Sequence, residues 1–91
     1  MVKIRVGKNF NQDYQNLLEE DKSLGIFVFE RVKIFRNNPQ DTRIKNHALT
    51  KRLKGKWAFS ITSDIRVIYE WTGKNTVRFL AIGGHPQVYK K

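Results

Sequence analysis

The chain has 91 residues, of which 18 are Lys or Arg and 8 are Asp or Glu, so its formal net charge at pH 7 is +10. A chain of this length buries only about 60 to 65% of its unfolded surface. We therefore expect one small domain over residues 1–91, without room for a cofactor domain beside a substrate domain. The 40% apolar content excludes a disordered basic tail, and the absence of Cys excludes a disulfide framework, a thiolate zinc site and a cysteine nucleophile.

The sequence contains no segment typical of membrane insertion or secretion. No stretch approaches the roughly 18 apolar residues that a membrane span requires, and residues 1–10 lack the apolar run of a secretory signal. We therefore expect a cytoplasmic protein without a membrane partner. No internal repeat or low-complexity linker divides the chain.

The first half of the chain predicts one strand followed by two helices. Val2, Ile4 and Val6 alternate with basic residues, which is typical of a strand, and Gly7 ends it. Two stripes of apolar residues follow, whose members recur three and four positions apart as on one face of a helix. The first stripe consists of Phe10, Tyr14, Leu17 and Leu18, and the second of Leu24, Phe27, Val28, Val32 and Phe35. Together they predict a helical hairpin that ends before Pro39.

After Pro39 the apolar residues change to the alternation of β-strands. Three strands are predicted, over residues 57–61, 65–71 and 77–81, and Gly83 and Gly84 are expected to break the last one. Helices that precede a group of strands indicate the α+β class. We expect the N-terminal strand and the hairpin to pack on one face of a twisted, mainly antiparallel sheet of about four strands, with the opposite face open.

Basic residues are concentrated in the second half of the chain. Residues 1–42 contain seven basic and six acidic residues, whereas residues 43–91 contain eleven basic and only two acidic residues. The densest part is residues 43–56, with six basic residues, His47 and no carboxylate. Such a surface attracts polyanions by releasing their counterions, which favours a nucleic-acid partner. An ordinary solvated basic surface is the alternative interpretation.

Candidate catalytic residues fall on the open face of the predicted sheet and in its loops. In the strand at 65–71 the odd positions are apolar, so Arg66 faces the opposite side, as do Ser60 and Arg78 in the neighbouring strands. The loops carry groups suited to proton transfer and phosphate binding, namely His47, Lys54, Asp64, His85 and Tyr89. Such groups can cleave RNA by deprotonating the 2′-hydroxyl, neutralising the phosphorane and protonating the 5′-oxygen. Each of them is also compatible with an ordinary polar surface.

Neither a metal site nor a cofactor is expected. The two His residues are 38 positions apart and have no clustered carboxylates near them, which matches no standard spacing of metal ligands. The serine-triad and phosphate-loop motifs are absent as well. The proposed RNA chemistry needs no metal ion, because imidazole, guanidinium and ammonium groups can supply all of its steps.

Three motifs stand out in the second half of the chain. They are a His-x-Leu-Thr stretch leading into Leu53-Lys54-Gly55, a strand that reads Asp64-x-Arg66-Val67-Ile68-Tyr69, and a Gly83-x-His85 turn running into Val88-Tyr89. Together they resemble the RelE/ParE toxin superfamily, and most closely its YafQ-like mRNA interferases. The resemblance implies a toxin of a type II toxin–antitoxin system that cuts mRNA in the ribosomal A site. It also implies a cognate acidic antitoxin as partner and no small-molecule cofactor.

The resemblance further implies roles for individual residues. His47 and Asp64 match active-site positions of YafQ-like enzymes, and Arg66 resembles an arginine that acts on the scissile phosphate. His85 falls at the position of a general acid, and Tyr89 matches an aromatic residue that positions or stacks on a base. The residues expected to bind RNA are Lys51, Arg52, Lys54, Lys56 and Arg78.

Two positions depart from the pattern of the family. Ser60 stands where a second active-site histidine is expected, and Ala81 stands where an arginine is expected. Two alternatives therefore stay open. One is an inhibitor of DNA gyrase of the ParE type, and the other is an RNA- or ribosome-binding module with weakened catalysis. The presence of His47 and His85 at family positions favours the mRNA interferase over the gyrase inhibitor.

Overall fold

A computed structural model describes residues 1–84 and Val88 of the chain. Two helices pack on a sheet, which confirms the predicted α+β class. The elements are β1 (Lys3–Val6), α1 (Phe10–Glu20), α2 (Leu24–Asn37), β2 (His47–Ala48), β3 (Trp57–Ser60), β4 (Ile65–Gly73) and β5 (Thr76–Gly84). Short 3₁₀ helices, Thr42–Ile44 and Lys51–Leu53, precede and follow β2. Among the residues described, no helix is both long enough and apolar enough to span a membrane.

The sheet has five strands in the order β1-β5-β4-β3-β2, one more than the sequence predicts. The additional strand is β2, and its two residues are too few to produce a recognisable alternation of side chains. β1 runs parallel to β5, whereas the other neighbouring strands are antiparallel, so the sheet is mixed. The two edges are β1 and the short β2, which carries His47.

The glycine pair near the end of β5 does not break the strand, contrary to the prediction. Gly83 pairs with Arg66 and Gly84 with Ile65, so the ladder continues through both glycines. Glycine weakens a strand because it offers no side chain for packing. Here the nine-residue β4 supplies backbone partners to both glycines, and this pairing prevails.

The main core lies between the helices and the sheet and is rich in aromatic rings. Phe35 of α2 stacks on Phe59 of β3 with ring centroids 4.5 Å apart, and it forms a T-shaped contact with Tyr69 of β4 at 4.9 Å. All three side chains are completely buried. Aromatic pairs of this geometry contribute about 0.5–1.5 kcal/mol beyond the burial of their area. Phe35 therefore anchors α2 to the centre of the sheet.

The helical stripes predicted from the sequence are confirmed in part. Phe10 and Leu17 of α1 are buried, and so are Val28 and Phe35 of α2. Phe27 is 43% exposed, so its assignment to the core is wrong. Successive residues of an α-helix are about 100° apart around the axis, and Phe27 therefore falls at the margin of the stripe that contains Val28.

The second face of the sheet, opposite the helices, is covered in its centre rather than open. A small apolar cluster lies there, formed by Ala58, Ile68, Ala81 and Val88, with Leu49 and Leu80 packed against it. A β-bulge contributes to this cover. The register shift after Ile68 leaves Leu80 without a partner in β4, and the Leu80 side chain packs against the small cluster. The polar groups of this face are thus arranged around an apolar centre.

Candidate functional site

Strand pairing places His47 on the second face of the sheet. His47 of β2 lies opposite Ala58 of β3, which in turn lies opposite Ile68 of β4. Residues directly opposite one another in antiparallel strands project to the same face. Since Ala58 and Ile68 belong to the small apolar cluster, the His47 side chain leaves the sheet on that side, at the edge of the cluster. His47 is exposed.

His47, Ala58 and Ile68 form a row of cross-strand neighbours on this face. Arg66, two residues before Ile68 in β4, lies in the adjacent row of the same face. It pairs with Ser60 of β3 on one side and with Gly83 of β5 on the other, so its neighbours within the row are small. The Arg66 Nε atom is buried, and within the part of the chain that is described it has no hydrogen-bond partner. From the usual spacing of strands and residues, the Cα atoms of Arg66 and His47 are roughly 12 Å apart. Their side chains can therefore approach one ligand from two sides.

The ring of His47 is held by the backbone of the preceding loop. Its Nδ1 atom lies 2.9 Å from the carbonyl oxygen of Lys45. Because a carbonyl oxygen only accepts hydrogen bonds, Nδ1 carries the proton of this bond. In the neutral imidazole Nε2 is then the unprotonated nitrogen, and it is able to accept a proton from a ligand.

A hydrogen bond from the core supports the residue before His47. The hydroxyl of Tyr69 donates to Oδ1 of Asn46 at 2.6 Å. Burial raises the pKa of Tyr69 to about 12. Sequence patterns could not predict this link, because Asn46 and Tyr69 are 23 positions apart.

Asp64 is exposed in the turn between β3 and β4. Thr62 stabilises this turn, because its Oγ1 atom accepts hydrogen bonds from the backbone N–H groups of Asp64 at 3.3 Å and Ile65 at 3.0 Å. The turn follows directly on Ser60, the neighbour of Arg66 in its row. Asp64 is therefore at the same end of the sheet as Arg66.

The basic loop between β2 and β3 passes over the second face. Its Lys51, Arg52 and Lys54 side chains are exposed, whereas Lys56 is half-buried. Lys56 lines a small cavity of about 120 Å³, and apolar residues, among them Ile68, supply most of the remaining wall. Four of the five residues expected to bind RNA thus lie in the one loop that joins β2 to β3.

Arg78, the fifth of these residues, lies apart from that loop. It is opposite Glu70 in β4 and opposite Arg5 in β1. The Arg78 guanidinium forms an ion pair with Glu70 at 3.4 Å, which offsets part of its charge. This row and the row of Arg66 lie on opposite sides of the row that contains Ile68. Arg5, which the sequence did not single out, is brought beside Arg78.

A polar cavity of about 320 Å³ opens beside Arg66, at the end of the sheet that carries the β3–β4 turn. Four cationic side chains and three hydroxyl groups line it, together with one apolar residue. The lining residues are Arg31, Arg43, Lys45, Ser60, Ile61, Thr62, Ser63 and Arg66. Sequence reasoning noted Arg43 and Lys45 only as members of a basic segment and missed Arg31, because only the fold brings α2 next to this loop.

His85 and Tyr89 lie outside the described residues, so their predicted roles stay predictions. Among the residues that the structure does describe, no group of three His, Cys, Asp or Glu side chains is placed to hold a metal ion. The described part of the candidate site therefore consists of His47, Asp64, Arg66, the basic loop and the cavity.

A protein-family model matches almost the whole chain. The family is described as "Bacterial toxin of type II toxin-antitoxin system, YafQ", and its model matches residues 2–90. No curated protein sequence gives a significant match.

Several solved structures share the fold. YafQ from E. coli is 21% identical with a TM-score of 0.80, and the alignment covers 98% of this chain and 99% of that chain. A copper-bound mutant toxin from Helicobacter pylori is 25% identical with a TM-score of 0.75, covering 97% and 99%. The toxin in a heterotetrameric YoeB–YefM toxin–antitoxin complex from Staphylococcus aureus is 20% identical with a TM-score of 0.72, covering 93% and 98%.

Proposed function

The chain belongs to the YafQ family of bacterial type II toxin–antitoxin toxins, and we propose that it is a ribosome-dependent endoribonuclease that cuts mRNA in the ribosomal A site. The observation that carries this proposal is that His47 and Arg66 project from one face of the sheet, beside a cavity lined by four cationic side chains. Cleavage of RNA requires a proton acceptor and positive charge near the same phosphodiester. Both are available on this face.

In the proposed reaction the ribose 2′-oxygen attacks the adjacent phosphorus. His47 or Asp64 removes the proton of the 2′-hydroxyl, and the bond between phosphorus and the 5′-oxygen breaks. The contact between Nδ1 of His47 and the Lys45 carbonyl favours His47 as the base, since it leaves Nε2 able to accept the proton. The products are a 2′,3′-cyclic phosphate and a 5′-hydroxyl. The reaction requires no metal ion and no cofactor.

Charge stabilisation and protonation of the leaving group complete the reaction. Arg66 and Lys54 stabilise the charge that develops on the phosphorane. His85 donates a proton to the departing 5′-oxygen, and Tyr89 positions a base by stacking. The assignments of His85 and Tyr89 rest on their match to the family motif. The message strand is held by the basic residues Lys51, Arg52, Lys54, Lys56 and Arg78.

The proposed protein partner is a cognate acidic antitoxin, met in the cytoplasm. Two facts support this partner. The chain carries a net charge of +10, which favours association with an acidic chain, and the structural relative from S. aureus is a toxin solved in complex with its antitoxin. A disordered acidic segment that folds on binding could follow the cationic face over a long distance.

Cleavage of ribosome-bound message by purified variants tests the proposed function. Loss of a general acid or base lowers a rate by about 10² to 10⁴, so His47→Ala and His85→Ala should each slow cleavage by that order. Lys51→Ala removes one exposed charge and should lower the rate by no more than about fivefold. The 5′ ends of the fragments are mapped by primer extension, and cuts inside codons are expected.

The two alternative functions give different outcomes. A gyrase inhibitor would block DNA supercoiling in vitro and leave the message intact. A binding module with lost activity would bind ribosomes without arresting growth when expressed. Wild-type rates of message cleavage by His47→Ala would show that His47 is not the base, whereas an intact message with the wild-type protein would overturn the enzyme proposal as a whole.

A further inference from the structure

The cavity beside Arg66 has the composition of an anion site. Its polar lining comes from four cationic side chains and three hydroxyl groups, and none of the lining residues is acidic. The residues come from three separate parts of the chain, namely α2 (Arg31), the loop before β2 (Arg43 and Lys45) and the region around the β3–β4 turn (Ser60 to Arg66). The cavity is therefore a product of the tertiary fold and not of one basic run.

Most of the positive charge in the cavity is not compensated by the protein. Of the four cationic residues, only Arg43 forms an ion pair within the described part of the chain, through two contacts with Asp41 at 2.8 and 3.0 Å. These contacts hold the pKa of Asp41 down at about 2. Arg31 donates from Nη1 to the carbonyl oxygen of Arg43 at 3.0 Å, which is a neutral acceptor. Arg31 also interacts electrostatically with the Asp41 carboxylate, which offsets part of its charge. The charges of Lys45 and Arg66, and the remaining charge of Arg31, are therefore available to a ligand.

Arg66 also has an unfulfilled hydrogen-bonding requirement. Its Nε atom is buried without a partner among the described residues, and a buried donor in that state is unfavourable. A phosphate group offers several strong acceptor oxygens and a negative charge, which suits both the Nε atom and the hydroxyl groups of the lining. At about 30 Å³ per water molecule, the 320 Å³ cavity holds the volume of roughly ten waters, which is sufficient for a phosphate and part of its sugar.

The cavity is adjacent to the proposed reaction site but does not include its base. Arg66 belongs to the cavity lining, and Lys45, another member, accepts the hydrogen bond from Nδ1 of His47 through its carbonyl oxygen. His47 and Lys54 are not part of the lining. A strand that crosses from His47 past Arg66 would thus bring its next phosphate into the cavity.

We propose that this cavity is a phosphate subsite, which binds the phosphodiester next to the one that is cleaved. Arg31 and Lys45 are its cationic ligands, and Arg66 lies between it and the cleaved phosphodiester and contacts both. The identity of the ligand as an RNA strand rests on the proposed function. The subsite itself rests on the cavity, its uncompensated charge and the buried Nε atom of Arg66.

Binding of a fluorescent 2′-deoxy oligonucleotide tests the subsite without cleavage, because this probe lacks the attacking hydroxyl. Its affinity is measured by anisotropy at several salt concentrations. Each phosphate contact contributes about 0.7 to the slope of log K against log salt for a single strand. Arg31→Gln should lower the magnitude of that slope by about 0.7 and weaken binding at low salt by about fivefold. Lys45→Gln, which keeps the bond between Arg31 and Arg43, should act in the same way.

Matched variants on the same helix provide the controls. Arg36→Gln and Lys33→Gln remove the same charge from exposed positions of α2 that do not line the cavity. They should leave the slope at the wild-type value. Equal slopes for Arg31→Gln and Arg36→Gln, or no measurable binding of the probe by the wild-type protein, would overturn the subsite.

The two proposals can fail separately. If the wild-type protein leaves ribosome-bound message intact and the slopes still differ as described, the enzyme proposal is wrong and the subsite stands. If the wild-type protein cleaves message but Arg31→Gln and Lys45→Gln bind the probe like their controls, the subsite is wrong and the enzyme proposal stands.

Discussion

At the scale of single residues, the hydroxyl of Tyr69 connects the hydrophobic core with the candidate site. The ring of Tyr69 is completely buried among the aromatic side chains of the core. Its hydroxyl donates to Asn46, whose amide nitrogen is also buried and has no partner among the described residues. Within the described part of the chain Asn46 therefore depends on Tyr69 for its side-chain hydrogen bonding, and it lies directly before the start of β2 at His47.

Tyr69→Phe should lower the free energy of unfolding by about 1–2 kcal/mol. The substitution keeps the ring in the core but leaves the Oδ1 acceptor of Asn46 without a donor, and an unpaired buried polar group is unfavourable by that order. Urea denaturation measures the change. Tyr14→Phe is the control, since no hydrogen bond of the Tyr14 hydroxyl occurs among the described residues, and it should change stability by less than about 0.5 kcal/mol. Equal effects of the two substitutions would contradict the role of this bond.

Tyr69 should also make stability depend on pH in the alkaline range. Its pKa is about 12 in the folded protein, against an ordinary value of 10.0. A raised pKa means that folding favours the protonated phenol. The stabilisation that Tyr69 contributes to the folded state is therefore complete below about pH 10, and it is lost as the pH rises from about 10 to 12. The unfolding free energy of the wild-type protein, measured across this range, should fall more steeply than that of Tyr69→Phe. Parallel curves would contradict the assignment.

At the scale of elements, α2 has one face buried and another exposed, and both faces carry phenylalanine. Phe35 is completely buried, whereas Phe29 is 68% exposed. The two residues lie on one helix of 14 residues, so differences in helix propensity cancel when each is replaced by the same residue. Their comparison isolates the contribution of packing against the sheet.

Phe35→Ala should destabilise the protein by about 3–5 kcal/mol, because it removes the stacking on Phe59 and leaves a cavity at the centre of the core. Phe29→Ala should change the free energy of unfolding by less than about 0.5 kcal/mol. Urea midpoints of the two variants provide the test. If Phe35→Ala does not fold at 25 °C, Phe35→Leu should still be measurably less stable than Phe29→Leu. Similar losses at the two positions would contradict the packing described for α2.

β2 is the shortest strand of the sheet, although it carries His47. It has two exposed residues at an edge, and the next hydrogen bond in the chain runs from the N–H of Leu49 to the carbonyl oxygen of Lys56 at 2.9 Å. Short exposed ladders open locally without global unfolding. The Leu49 amide should therefore exchange with deuterium much faster than the amides of Val67 and Ile68 in β4. Equal protection of Leu49 and Val67 would show that β2 is as rigid as the centre of the sheet.

At the scale of the whole molecule, the net charge of +10 opposes folding as well as attracting anions. Ion pairs offset part of the charge, such as those of Arg43 with Asp41 and of Arg78 with Glu70. The remaining cations repel one another in the compact state more than in the unfolded chain. Positive charge is thus the property that links the stability of this protein to its proposed ligands.

Raising the NaCl concentration from about 10 to 200 mM should raise the thermal midpoint of the free protein, because screening weakens this repulsion. The same increase should weaken binding of a single-stranded oligonucleotide steeply, since counterions released into a more concentrated salt solution gain less entropy. Calorimetry and anisotropy measure the two effects on one preparation. A thermal midpoint that falls with salt would show that attractive pairs outweigh repulsion in the folded state.

Much of the fold could be predicted from the sequence because the information is local. Alternation of Ile65, Val67 and Tyr69 identifies β4 by itself, and the spacing of Val28 and Phe35 identifies the buried face of α2. The position of Arg66 on the second face followed from the parity of its strand alone. Family motifs in the second half of the chain led to the toxin family that the comparison confirms for residues 2–90.

Features that depend on contacts between distant segments could be recognised only in the tertiary structure. The pairing of His47 with β3, the bond from Tyr69 to Asn46 and the cavity that joins Arg31 to Arg66 each connect residues of separate elements. A two-residue strand, a strand that continues through two glycines and an apolar cover on the second face have no periodic signal for the same reason. Periodicity reports which side of an element a residue faces, whereas the partner on that side is decided by how the elements pack.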